Sequence, residues 1–163
     1  MLLVAGAASA HYVPGDRVIV VQAEKDGAAV LVTYRPLERV RDAMVTAALA
    51  AKPAERAERL KALYAARALA TLRLTLDGRA LPADRVEAKL VDDPPGSRRW
   101  VAAVLVSVKV PAGEHVLDVD VAESEEPVVT EWLDRSEGRA AAAPAGPGVW
   151  LRGKTRLELR YQK

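Results

Sequence analysis

Cysteine is absent from the 163-residue chain, which excludes disulfides, thiolate metal ligands and cysteine nucleophiles. Phenylalanine is missing too, and three Trp and four Tyr supply all the larger aromatic side chains. A core must therefore be filled with aliphatic residues, which suits β-branched strands and alanine-rich helices. No apolar run approaches the roughly 20 residues that span a bilayer as a helix. A surplus of one charge sign is lacking as well. The 24 basic and 22 acidic residues alternate in stretches such as "LERVRD" (37–42). A nucleic-acid partner would call for a basic face with interleaved aromatics, so that class is set aside.

The common site motifs are also missing. The chain holds no G-x-G-x-x-G, P-loop, H-E-x-x-H or G-x-S-x-G. A Ser-His-Asp set would have to recruit His115 with Ser97 or Ser107, and neither serine has a nucleophile's local setting. Asp118 and Asp120 alternate with Val119 and Val121, which reads as a solvated face beside an apolar one. The acidic run "ESEE" (123–126) lacks the spaced oxygens of a calcium loop. These absences favour a non-enzymatic protein.

What is present is strand alternation broken once by a helical stretch. "RVIVVQAE" (17–24) and "AAVLVTYR" (28–35) flank Lys25-Asp26-Gly27, a strong hairpin signal. From about 37 to 70 the apolar period becomes helical, first through Leu37, Val40, Met44 and Ala48, then through Leu60, Leu63 and Tyr64. Pro53 is placed to open the second helix of this hairpin.

After it, "TLRLTLDGRAL" (71–81), "RVEAKLV" (85–91), "WVAAVLVSVKV" (100–110), "VLDVDVA" (116–122), "PVVTEWL" (127–133) and "VWLRGKTRLELRYQK" (149–163) read as strands. The run 100–110 is apolar at both parities, which predicts a central strand covered on both faces. "EGRAAAAPAGPG" (137–148) reads as a low-complexity loop. The expected fold is mainly β with a helical insertion. In detail it is an antiparallel immunoglobulin-like β-sandwich of about eight strands, one domain over 11–163, carrying the two-helix hairpin.

The opening "MLLVAGAASA" (1–10) resembles the end of a secretory signal: an apolar stretch closing on the small-x-small triplet Ala8-Ser9-Ala10. It lacks the basic first part of such a signal. The reading predicts an extracytoplasmic protein, periplasmic or secreted from a bacterium. Cleavage after Ala10 would leave His11 at the terminus, where its amino group and ring nitrogen can chelate copper. His11 and His115 are thus the candidate ligands for copper or nickel, and no other cofactor is expected. Binding surfaces are expected in the loops 92–99, 111–115 and 137–148. Trp100 and Trp150 flank two of them and are candidate interaction residues for an unknown protein partner.

The order of segments also carries a resemblance. A strand pair leads to "AERAERLKALYAARALATLRLTLDGRAL" (54–81) and then to "VPAGEHVLDVDV" (110–121). This is similar to the exported soluble domains associated with hydrogenase/urease-accessory type nickel and cobalt permeases. The resemblance covers about half the chain and implies an extracytoplasmic location with some link to metal handling or transport. Those domains often carry an acidic loop between the helices, whereas "ALAAKPAERAERL" (48–60) has no Asp.

Overall fold

The computed structural model describes residues 16–81, 85–92, 100–122, 127–143, 150–152 and 155–162. The leader-like segment 1–10, His11 and the loop stretches 93–99 and 144–149 lie outside them.

The chain opens as expected, with strands β1 (Asp16–Glu24) and β2 (Gly27–Arg35) paired as a hairpin. Helix α1 (Glu38–Leu49) follows, then a 3-10 turn (Pro53–Glu55) and helix α2 (Arg56–Leu69). Pro53 opens the 3-10 turn, where its missing N–H costs nothing. The rest is β structure: β3 (Leu72–Leu76), β4 (Arg79–Ala80), β5 (Arg85–Asp92), β6 (Trp100–Lys109), β7 (His115–Val121), β8 (Val128–Asp134), β9 (Ala140–Ala143), β10 (Trp150–Arg152) and β11 (Thr155–Tyr161).

Two sheets result, one ordered β10-β8-β1-β2-β6-β5 and one ordered β4-β3-β7-β11-β9, and they do not close into a barrel. Pairing is antiparallel throughout the described strands except between β1 and β8, which run parallel. Alternation decides which side chains go inside. Ile19, Val21, Val30, Val32, Val104 and Val106 from the larger sheet share one buried cluster with Leu117, Val119, Leu157 and Leu159 from the smaller. Each such side chain contributes about 1.5–3 kcal/mol on leaving water. In the absence of Phe, Trp132 supplies the bulkiest side chain of this cluster, at 1% exposure.

Helix α2 contacts β2, β5 and β6. Its buried Tyr64 meets the buried Tyr34 edge-on at 6.4 Å, so the helix lies on the sheet's inner face. Arg17, 1% exposed, joins the hairpin to β1. Its guanidinium sits 4.7 Å from the Tyr34 ring centroid and donates from Nη2 to the Arg67 carbonyl at 2.8 Å. That carbonyl lies in the last turn of α2, where a cation also complements the helix dipole. Burial pushes the Tyr64 hydroxyl up to about 12, so it stays neutral.

Four expectations are corrected. The described residues form eleven strands where about eight are expected, because short pieces such as β4, β9 and β10 pair at the sheet edges. One pairing is parallel, between segments far apart in the chain, which alternation cannot reveal. The stretch expected as a loop at 137–148 contains β9, whose backbone pairs with β11, a partner that the local sequence does not indicate. Finally, β6 is covered on one face: Leu105 stands opposite Leu31 on the outer side, and they are 36% and 39% exposed. Its apolar outer residues Ala103 and Leu105 imitate the pattern of a doubly covered strand.

Candidate functional site

Strand direction brings the β1–β2, β3–β4 and β8–β9 turns, the β6–β7 loop and the end of β11 to one end of the molecule. Backbone bonds tie them together. Val110 N–H donates to Asp26 O at 3.0 Å, Asp77 N–H to Val116 O at 2.8 Å, Arg135 N–H to Ala23 O at 2.9 Å and Gln162 N–H to Arg139 O at 2.8 Å. The Tyr161 hydroxyl donates to the Gly27 carbonyl, so the smaller sheet grips the larger at this point. Burial, with Glu24 and Asp134 adding negative charge, raises the Tyr161 pKa well above its ordinary value and keeps it a neutral donor. Gly27 has φ +151°, and a Cβ there would lie 2.1 Å from the Val108 carbonyl oxygen. Glycine is required at that position.

Two turns show positive φ at both central residues, Asp77 (50°) with Gly78 (76°) and Glu137 (57°) with Gly138 (83°). At Asp77-Gly78 this is the type I′ pattern whose twist suits the tight β3–β4 hairpin, whereas Glu137-Gly138 lies on the connection from β8 in one sheet to β9 in the other. Asp77 uses this conformation to reach β7. Its Oδ1 accepts from Val116 N–H at 2.9 Å and its Oδ2 lies 2.8 Å from His115 Nδ1. A carboxylate only accepts, so Nδ1 carries the proton. The Val116 N–H and then His115 hold the Asp77 carboxyl below its usual range, and Asp77 in turn raises the His115 pKa. In the other turn the buried Ser136 Oγ donates to Asp134 Oδ1 at 2.6 Å and accepts from Ala140 N–H at 2.9 Å.

Between the β1–β2 turn, the β6–β7 loop and Arg139 lies a cleft of about 220 Å³, lined in part by Lys25, Asp26, Ala112, Gly113, Arg139 and Tyr161. Exposed ion pairs cross its rim, Lys25 to Glu137 at 3.6 Å and Arg139 to Asp26 at 3.8 Å. Such pairs contribute about 0–1 kcal/mol each, so they leave the groups open to exchange for a partner's. His115 Nε2 stands over Gly113, 3.4 Å from where a Cβ would be. A second hollow of about 460 Å³ follows the β3–β4 hairpin from Leu76 to Leu81.

The sequence-based candidates separate. His115 opens β7 at the turn end, and Asp77 is the partner that sequence reasoning missed. The signal for it was present, since Asp77-Gly78 is a hairpin turn, but only the β3–β7 register brings it to His115. Trp100 opens β6 at the opposite end, partly buried and packed against the core. Trp150 stands in register with Glu131 on β8. Ser107 pairs with Ala29 in the larger sheet, whereas His115 belongs to the smaller, so the two do not assemble as nucleophile and base. His11 and Ser97 lie outside the described residues.

Among the described residues no three His, Cys, Asp or Glu side chains converge as metal ligands. No helix of the described residues is long and apolar enough to cross a membrane. No family model matches the chain, and no characterised protein or solved structure matches it either.

Proposed function

We propose that the protein is an exported, non-enzymatic binding module that engages a protein partner through its turn end. The observation that carries this reading is the arrangement of that end. Several chain segments are cross-tied by backbone bonds around a small cleft whose rim charges, Lys25 and Arg139, are exposed and weakly paired. Loops fixed on a rigid scaffold are where binding surfaces concentrate. The shared core of the two sheets supports taking them as an immunoglobulin-like sandwich, the usual carrier of such loops.

A photo-crosslinker placed at Ala112 tests the proposal against one placed at Arg59 on the exposed side of α2. Crosslinking from Ala112 that falls when Lys25 and Arg139 are both changed to Glu is expected. Crosslinking confined to Arg59 sinks the reading. Export is checked separately by the mass of the chain recovered from its host, where a start at His11 is expected.

One observation favours a second reading, a periplasmic copper or nickel binder linked to metal transport. Asp77 holds His115 Nδ1 as a carboxylate does behind a ligating histidine, which leaves Nε2, beside Gly113, as the ring nitrogen that would bind. Copper and nickel titration of the processed chain, with and without His115→Ala, separates the two readings. Unchanged affinity in the variant removes His115 from any such site.

A further inference from the structure

The two sheets end in four edge strands of unequal length among the described residues. β4, β10 and β9 have two, three and four residues, whereas β5 has eight. Natural sheets guard their edges by shortening them, bulging them or placing Pro or charged residues there, and of these β5 has only charges, Glu87 and Lys89 among them. Arg85–Asp92 carries neither Pro nor Gly and pairs continuously with β6. It also leaves apolar surface open, with Val86 50% and Val91 43% exposed.

The order of residues on this edge is self-complementary. Directly opposed residues in a ladder share a face. Glu87 and Lys89 therefore stand on the outer face with Leu105 and Ala103, while Val86, Ala88 and Leu90 stand on the inner face with Val106, Val104 and Ala102. A two-fold axis at Ala88 would place Glu87 opposite Lys89 of the second copy, twice, and Val86 opposite its Leu90, twice. Registers centred on Glu87 or Lys89 put like charges face to face, and a one-residue slip exchanges the two faces.

We propose that β5 pairs antiparallel with β5 of a second copy, about an axis at Ala88, to form a symmetric dimer with one continuous sheet. The interface is isologous, so each favourable pair occurs twice. It leaves the turn-end cleft clear, since Lys25 and Arg139 lie on other strands' turns.

Sedimentation of the full chain from micromolar to near-millimolar concentration tests this. The wild type is expected to dimerise, and Glu87→Lys or Lys89→Glu alone to weaken the dimer about tenfold or more. Mixing the two single variants is expected to restore a dimer, as is the double exchange Glu87→Lys/Lys89→Glu in one chain. In this cysteine-free protein Ala88→Cys is expected to give a disulfide-linked dimer under mild oxidation. A wild type that stays monomeric overturns the proposal. So does a dimer indifferent to both reversals, a mixture that fails to associate, or an Ala88→Cys chain that remains uncrosslinked.

Discussion

At the turn end, segments from both sheets are held by hydrogen bonds between backbone groups and short polar side chains: Asp77 to Val116, Ser136 to Ala140, Tyr161 to Gly27. At the helix end, a two-helix hairpin is held by ring packing and one buried cation, through Tyr34, Tyr64 and Arg17. The first kind of bonding fixes direction and spacing within a few residues of each turn. The second fixes only that a bulky element stays covered. A surface that must present groups in constant geometry belongs at the first end, and a cover for apolar strands at the second.

Substitutions that strike one end and spare the other sharpen this contrast. The largest effect is expected from Gly27→Ala, because the new Cβ would collide with backbone at 2.1 Å and break the contact with Tyr161. A loss of about 3 kcal/mol or more is expected in chemical denaturation, with turn-end amides losing exchange protection first. Arg17→Ala strikes the other end. It removes the hydrogen bond to Arg67 O and leaves a void beneath α2. The expected loss is about 2–3 kcal/mol, with protection falling in α2 and the start of β1 while the turns keep theirs. Equal loss at both ends in either variant would erase the distinction.

Ser136→Ala is smaller, about 1–2 kcal/mol, since Ala140 N–H and Asp134 each lose a buried partner. Its effect on exchange is expected within the β8–β9 turn. The smallest is the pH response of the half-exposed Asp77–His115 pair. His115 has a raised folded pKa, so its contribution is complete below the ordinary imidazole value of 6.5 and fades as pH rises through the folded value. Asp77 has a lowered one, so its contribution is complete above 3.8 and fades as pH falls through the folded value. Exchange in β3 and β7, corrected for intrinsic rate, is expected to be slower at about pH 5.5 than at about pH 8.5. His115→Asn is expected to flatten that difference, and an unchanged profile in the variant assigns it to other groups.

Elements with local causes were legible from the amino acids. The β1–β2 hairpin, the Asp77-Gly78 turn, the helical pair with Pro53 between its members, and the buried face Leu157, Leu159 and Tyr161 all follow from spacing or turn chemistry. What escaped depends on neighbours distant in sequence. β9 reads as a loop because four alanines carry no alternation, and only the facing strand β11 gives them a ladder. Arg17 stands at the head of a strand pattern that says nothing of its burial, and Tyr34 and a helix end far along the chain bury it. Of the candidate site, His115 was visible as one of two histidines, while Asp77 had the look of a plain turn residue. Its reach across to β7 is a matter of register, which no local pattern encodes.

The parallel β1–β8 pair also bears on how the chain is made. On a ribosome β1 finds β2 as soon as both are out, but its other ladder partner follows only about a hundred residues later. Until Val128–Asp134 is out, the nascent larger sheet carries an unsatisfied margin along Arg17–Ala23. Such late closure of distant partners is slow and exposes strand margins to other chains. The helical hairpin, complete well before then, packs on β2 and not along that margin.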